Sequence, residues 1–527
     1  MMDVDYRLSD LPDDLLRCVL RFLPSKDGAS TAVLSQRWRS LWRTSGTVNL
    51  NACSCDKDNS KREAFIRGAM AALAAAAEHG GPVTKLSFYM EADEWYSIDS
   101  FVSQRRGGLE QNTIHDVISY PATRHVKELR VAGVARNHTY GHNRGYYNLR
   151  IDVLPCHALC VLHIVNAELD MGKSDATISF PRLNTLQLHG CQVSLKNLWV
   201  MIHCAPQLTT LRLESIYIDS GTSGDDNSFS TNDCQIRGQE VTTLVLTDWS
   251  TCVYLRTKIG SIQLDMPKLR YFRFDAVLSD QQVSLKSWPD SLTRIDFHFK
   301  DRIHEAGKVL VPFWHMVRNL TSTKVLKVKL DCPIDHIALV DMKPLDDLLD
   351  NKLLYNLESL EVEGCYNPSN NVAGHAIGNL LHCCPMLRYL RLKINKITSP
   401  RYMSYDLARQ VQFIDFDKSV KHFRRCRGTS GCNDVKYEVS DIHGLSEQIF
   451  NCLQSHLRRL SLQFGNEEEG FLDVQLVKFF AENAMVLKEV QIEDGNRKMC
   501  EHLNYMFRTW ALNSVERINV QKDLLQS

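Results

Sequence analysis

A six-residue phrase, apolar-x-x-apolar-x-apolar, returns along most of this chain and constrains its fold more than any other feature. It stands clearly at Val83, Leu86 and Phe88, and returns at Val126, Leu129 and Val131 and at Leu159, Leu162 and Ile164. The sharpest copies are Leu183-Leu186-Leu188 with Cys191 behind it, and Leu208-Leu211-Leu213 with Ile216 behind it. Further copies read Val241-Leu244-Leu246, Leu269-Phe272-Phe274, Leu292-Ile295-Phe297, Val325-Val328-Leu330, Leu357-Leu360-Val362, Leu387-Leu390-Leu392, Leu457-Leu460-Leu462 and Leu487-Val490-Ile492. Thr47 to Leu50 reads as a degenerate first strand. The last two apolar residues of each phrase are two apart, so they point to one side of a strand. The residue three earlier turns the chain inward. One such unit buries a single edge and needs neighbours stacked on it.

The central residues step by 24 from Leu162 to Leu186, 25 to Leu211, 33 to Leu244, 28 to Phe272 and 23 to Ile295. A β-helix would be more regular. Leucine-rich repeats of roughly 20–29 residues, with insertions, fit this spacing. Some stretches between strands read as helices, Leu195 to His203 before Cys204-Ala205-Pro206 and Ala376 to His382 before Cys383-Cys384-Pro385. Polar loops interrupt the array near 136–147, 219–239 and 422–434, the last within a gap of 70 residues from Leu390 to Leu460.

Ahead of the repeats, Tyr6 to Trp42 has a different pattern. Leu15, Val19 and Leu23 form one helical stripe, and Leu16 and Leu20 a second beside it. Pro12, Asp13 and Asp14 suit a helix start, and Leu23-Pro24 a helix stop. Ser25 is placed to cap a second helix, and Ser35 leads into a third carrying Trp38, Leu41 and Trp42. About 40 residues bury too little surface to be stable alone, yet apolar residues cover more than one face, so the surplus must meet something else. The phrases Leu11-Pro12-Asp13-Asp14-Leu15-Leu16 and Val33-Leu34-Ser35-Gln36-Arg37-Trp38-Arg39-Ser40-Leu41-Trp42 resemble the F-box in its plant form. Gly28-Ala29 departs from the larger apolar residue of many relatives and is expected to weaken the second helix slightly. The resemblance implies docking of a Skp-type adaptor, which tethers the module to a cullin–RING ubiquitin ligase. Leu11, Pro12, Leu15, Leu16, Val19, Leu20, Leu23, Leu34, Trp38 and Trp42 then build the module and its adaptor contact, without the sequence separating the two roles.

The helix–Cys-Pro–strand units likewise resemble the leucine-rich repeats of plant F-box proteins. At the far end, a helix from Val474 to Asn483 followed by the strand Val486 to Ile492 resembles the FBD region of that family, and physically suits a cap on an open array. The expected fold is α/β: a short three-helix F-box at 5–50, an irregular leucine-rich-repeat solenoid at 51–455 with a curved parallel sheet and helices on its convex side, and an FBD-like cap at 456–527.

Charge balances at 62 basic against 62 acidic residues, which argues against nucleic acid or a membrane surface as a partner. No run of about 18 apolar residues occurs. The acidic start Met-Met-Asp-Val-Asp is no signal peptide, so the expected location is cytoplasm or nucleus, with the 17 cysteines mostly reduced. Cys53 and Cys55 have the wrong spacing for zinc, and His422, Cys426 and Cys432 lack a clear fourth ligand, so no metal is expected. Phosphate-loop, nucleophile-elbow and zinc-protease motifs are missing. The expectation is a non-catalytic receptor whose ubiquitin chemistry belongs to partner subunits.

In a solenoid, the residues flanking the inward apolar ones line the concave face. Early strands offer neutral residues, Thr185, Gln187 and His189, then Thr243, Val245 and Thr247. The middle is richer, and Tyr271, Arg273, Arg294, His298, Lys327, Lys329, Tyr389, Arg391 and Lys393 are the candidates for holding a target protein, with acidic Glu361 and Glu363 among them. Arginine and aromatic side chains suit an acidic or phosphorylated peptide. Two alternatives remain open: a scaffold that has lost adaptor affinity, and a ligand-sensing receptor with an inositol phosphate near Arg273, Arg294, Lys327 and Lys329. Otherwise no cofactor is expected.

Overall fold

The fold is that of a computed structural model, which describes residues 10–53, 59–79, 82–106, 109–136, 146–171, 178–219, 233–248, 250–251, 261–277, 283–286, 288–300, 310–350, 352–367, 372–396, 439–464, 471–494 and 499–512. Loop positions 137–145, 220–232 and 422–434, with His422, Cys426 and Cys432, lie outside the described residues. The chain divides into two compact units, Met1–Leu269 with Gln282–Ser287, and Arg270–Gln281 with Trp288–Ser527.

In the first unit, helices α1 (Asp13–Leu20), α2 (Ser25–Ser30) and α3 (Gln36–Arg43) precede seven parallel strands. These are β1 (Thr47–Cys53), β2 (Lys85–Ala92), β3 (Glu128–Ala135), β4 (Val161–Val165), β5 (Thr185–His189), β6 (Thr210–Glu214) and β7 (Thr243–Thr247), each paired with the next. Leu86, Leu129, Leu162, Leu186, Leu211 and Leu244 stand directly opposite one another, so the central residue of each phrase marks the stacking register. All six are buried. The carbonyl just before each of β1 to β6 accepts two N–H groups from the next repeat: Thr84 O takes Lys127 N at 2.8 Å and Glu128 N at 3.0 Å. That bifurcation holds successive coils in step whatever the length of the connection between them.

The stretch after the strand repeats too. Asn166, Gly190, Ser215 and Asp248 have φ of 59°, 62°, 52° and 49°. At three of these positions the N–H donates to the last residue of the following strand, Asn166 to His189 O, Gly190 to Glu214 O and Ser215 to Thr247 O, each at 2.8 Å. The chain then enters a lateral parallel sheet of Tyr147–Arg150, Ala167–Asp170, Gln192–Ser194, Tyr217–Asp219 and Ser250–Thr251. Strands this short leave too brief a pattern to read in the sequence.

The second unit carries seven further parallel strands: β8 (Tyr271–Val277), β9 (Arg294–Lys300), β10 (Val325–Pro333), β11 (Ser359–Tyr366), β12 (Tyr389–Lys396), β13 (Arg459–Phe464) and β14 (Glu489–Asp494). Phe272, Ile295, Leu326, Leu360, Leu390, Leu460 and Val490 align across it. One repeat differs from its sequence reading. Leu326, not Val328, stands opposite Ile295, so the phrase is Thr323-Leu326-Val328, with a fully buried threonine where the other copies have an apolar residue. The slip is by two residues, so Lys327 and Lys329 stay on the outer face. Edge-to-face contacts among Phe272, Phe297, Phe299, Phe313 and Trp314 fill the core beneath β8 to β10. The predicted helices are present as Ala373–Cys383 (α4) and Phe471–Asn483 (α5), each slightly longer than expected. Among the described residues no helix is long and apolar enough to cross a membrane, and no cluster of metal-ligating side chains occurs.

Candidate protein-interaction sites

The N-terminal helices close around four buried residues, Leu16, Leu20, Trp38 and Leu41, with Leu11, Leu23 and Trp42 partly buried beside them. Arg37 ties the ends of the module together: its Nε donates to Asp13 Oδ1 at 2.8 Å and its Nη2 to Leu11 O at 2.7 Å. Ser35 caps α3 by accepting from Trp38 N at 3.3 Å. Ser25, expected as a cap, is instead the first residue of α2, with Pro24 before it. Its hydroxyl is used on the sheet, where Asn49 N donates to Ser25 Oγ at 2.8 Å. Asn49 Nδ2 also donates to Arg21 O at 2.9 Å and Leu23 O at 2.8 Å, and Ser87 Oγ donates to Asn49 Oδ1 at 2.6 Å. One asparagine of β1 therefore fastens the turn between α1 and α2 to the first two strands. Gly28 has a positive reason to be small: a Cβ there would stand 2.6 Å from Trp42 Cδ1. The ring takes the space that a larger residue would fill, so the departure noted in the sequence is matched by packing.

With the interior full, the remaining apolar residues face solvent. Leu15 and Val19 on α1 are exposed, as is Leu34, 69% exposed, and so is Pro12. Phe22 and Val33, which sequence reasoning passed over, are 83% and 88% exposed. Phe22 follows Val19 by three and extends the same helical stripe, which is the signal that was available. Thus the second stripe, Leu16 and Leu20, turns inward, while the first divides: Leu15 and Val19 face outward and Leu23 packs partly buried against the core.

The second surface is the outer face of the sheet in the second unit. All nine candidate residues stand on it, on four neighbouring pairs of strands from β8 to β12. The pairing brings them into rows. One row reads Arg273, Asp296, Lys327, Glu361 and Arg391, and the next reads Asp275, His298, Lys329, Glu363 and Lys393. Acids stand among the bases at short range. Arg273 forks onto Asp275 at 3.2 and 3.0 Å, and Arg294 onto Asp296 at 3.1 and 3.3 Å. His298 lies 2.9 Å from Asp331 and 3.5 Å from Asp275. Lys393 Nζ reaches Glu363 at 2.9 Å, and Lys327 comes within 3.9 Å of Glu361. Three of the four cations proposed to gather round an anion, Arg273, Arg294 and Lys327, therefore already have carboxylates beside them.

These neighbours tune the titrating groups. Burial and the hydrogen bond that its hydroxyl donates to Asp296, 2.8 Å away, push Tyr271 up to about 12. The Arg294 guanidinium sits 5.7 Å from the Tyr271 ring centre, completing a Tyr–Arg–Asp cluster. Burial alone would raise Glu363, but the hydrogen bond and charge of Lys393, with Lys329 and Lys327 near, hold it below the ordinary carboxylate range. Such a surface presents fixed charges and aromatic edges.

Comparison with known proteins finds three family models along the chain. An F-box domain matches residues 8–47, the LRR repeats of "FBD-associated F-box protein At5g56370" match 114–249, and an FBD matches 447–492. Among curated proteins of Arabidopsis thaliana, the one named FBD-associated F-box protein At5g22720 is 24% identical over 493 residues, 92% of this chain and 87% of that protein. The one named FBD-associated F-box protein At5g56820 is 24% identical over 487 residues, 83% of this chain and 96% of that protein. FBD-associated F-box protein At3g12840 is 52% identical over 46 residues, 9% of this chain and a quarter, 25%, of its own length.

Proposed function

We propose, from the premise that this is a plant-type F-box protein with leucine-rich repeats and a C-terminal FBD region, that it serves as the substrate-recognition subunit of a Skp–cullin–F-box ubiquitin ligase. F-box proteins of this kind act in general as substrate adaptors. The finer reading is that the outward residues Leu15, Val19, Phe22, Val33 and Leu34 dock a Skp-type adaptor, while the sheet face of the second unit holds the target. Rate enhancement then comes from proximity, because a target held on the receptor sees the ubiquitin-charged enzyme at high effective concentration. The chain itself is read as non-catalytic.

One observation carries this reading: a three-helix module with a filled interior still presents Phe22, Val33 and Leu34 almost bare. Several large apolar side chains left at such exposure on one small module mark a candidate protein-interaction site. The test is retention of a purified Skp-type adaptor by the full-length chain. Phe22→Glu and the double variant Val33→Asp/Leu34→Asp should lose adaptor binding by tenfold or more, roughly the loss of one or two interface anchors, with circular dichroism unchanged. Leu16 and Trp38 are unsuitable targets, since they are buried and their loss unfolds the module. A folded wild-type chain that fails to retain the adaptor overturns the ligase reading in favour of a scaffold.

A further inference from the structure

The sheet face of the second unit has a charge order that selects its occupant. Lys327, Glu361 and Arg391 stand directly opposite one another on β10, β11 and β12, and so do Lys329, Glu363 and Lys393. Both rows read cation, anion, cation. Four bases thus flank two acids on three neighbouring strands. Lys393 pairs with Glu363 at 2.9 Å, and Lys327 lies at 3.9 Å from Glu361. Among the described residues, Lys329 and Arg391 have no carboxylate within ion-pair distance; Arg391 donates to the amide oxygen of Gln463 at 3.1 Å. Two cations without a close ion pair therefore stand one strand to either side of an acidic strand.

We propose that this three-strand patch receives an α-helical segment of the target whose exposed side reads acid, base, acid on successive turns. This deepens the target-holding role given to the same face above and rests on it. The geometry argues for a helix. Neighbouring strands lie about 4.8 Å apart, and one helical turn advances about 5.4 Å, so a helix crossing the strands keeps nearly one turn to each. An extended segment crossing the same way places same-side residues about 6.6 Å apart and falls out of step by the third strand. The charges argue for the order. A uniformly acidic segment, or a cluster of phosphates, would bring like charge onto Glu361 and Glu363. A uniformly basic one would meet four cations. An acid–base–acid segment meets opposite charge on all three strands.

The test uses three labelled, alanine-rich helical peptides with the full-length chain, read by fluorescence anisotropy at low salt, where such pairs are least screened. The peptides carry Glu-Lys-Glu, Lys-Glu-Lys or Glu-Glu-Glu at positions i, i+4 and i+7. The Glu-Lys-Glu peptide should bind tightest, by roughly tenfold over its inverse, as several half-exposed ion pairs allow. The double variant Glu361→Lys/Glu363→Lys makes the patch all cationic and should move the preference to Glu-Glu-Glu. Equal binding of the three, preference of the wild type for Glu-Glu-Glu, or binding of none overturns the proposal. Adaptor retention is measured on the same proteins. A chain that retains the adaptor without discriminating peptides overturns the charge order alone, and one that loses the adaptor overturns the ligase reading alone.

Discussion

On the outer sheet face of the first unit, the row Asn49, Ser87, Arg130, His163, Gln187, Arg212 and Val245 carries two permanent charges, both positive and three strands apart. On that of the second unit, Arg273, Asp296, Lys327, Glu361 and Arg391 carry five in succession, alternating in sign. Beneath both, the inward residues are of one kind, Leu, Ile, Val and Phe, and are fully buried. Stacking is set by the inward residues and by the bifurcated carbonyls, so it places no demand on the outward ones. Their divergence between the units is therefore where selection for a partner can act.

The sharpest way to break that comparison is to exchange the costs of the two faces. Leu186→Ala in the first unit and Leu390→Ala in the second should each lose about 2–5 kcal/mol, the usual range for a leucine deleted from a filled core. Lys327→Gln and Glu361→Gln, on the outer face, should each change stability by at most about 1 kcal/mol, as half-exposed pairs do. Urea denaturation followed by circular dichroism measures all four. An outer-face substitution as damaging as either leucine would mean that the charge rows hold the sheet together, and the assignment of those rows to recognition would fail.

The units differ also in how the chain leaves its strands. Left-handed residues follow β4, β5, β6 and β7 in the first unit, and among the described residues of the second the two left-handed positions, Asp350 and Gly444, stand away from strand ends. Gly190 is the tightest case, since a Cβ there would collide with the Asn166 side-chain amide while φ is 62°. Gly190→Ala should therefore destabilise by about 1–3 kcal/mol, the range for such backbone strain with overpacking. The second unit supplies the opposite sign. The Thr323 hydroxyl is buried and has no hydrogen-bond partner among the described residues. Thr323→Val keeps the shape and removes an unsatisfied polar group, so the urea midpoint should rise, by about 1 kcal/mol in free energy. A fall would mean that the hydroxyl has a partner, such as a bound water.

That threonine also shows what the sequence made legible. A strand with one buried face repeats every two residues, so the inward leucines and the outward candidates on β8 to β12 follow from the alternation of apolar and polar residues alone. Thr323 hid one first position, and the reading slid two residues to Val325; an even slip preserves the face and loses only the register. Left-handed Asn166, Ser215 and Asp248 gave no comparable sign, because these residue types serve equally well in ordinary turns. At the N-terminus, both helical stripes were apolar, and periodicity alone cannot say which of two apolar stripes lies inside. Only packing against Trp38 and Leu41 turned Leu16 and Leu20 inward. The compensation of charges across strands was likewise illegible, since it depends on which residues the register brings opposite one another.

The smallest expected effects separate the faces by acid. On the first, burial disfavours the charged form of His163, and Arg130 and His189 add to this, so its pKa lies below the ordinary 6.5. The unfolded chain then takes up this proton first, and stability falls as pH drops below 6.5, until the lowered value is passed. On the second face, Glu363 lies below the ordinary 4.5, because the lysines outweigh its burial. Its contribution is complete above 4.5 and is lost as pH falls through the lowered value. His375 in α4 is also lowered, by burial and by His443, and adds a histidine to the upper window from the helical side of the second unit. Whole titration curves therefore mix the faces, and single variants separate them. His163→Gln should flatten the loss of stability just below pH 6.5 and leave the region below 4.5 unchanged; Glu363→Gln should do the reverse. Urea midpoints against pH for the two variants and the wild type measure both. If Glu363→Gln flattened the upper window instead, the lysines would not be holding its charge. The ordered alternation on the second face would then be a pattern of positions without the electrostatic coupling that makes it selective.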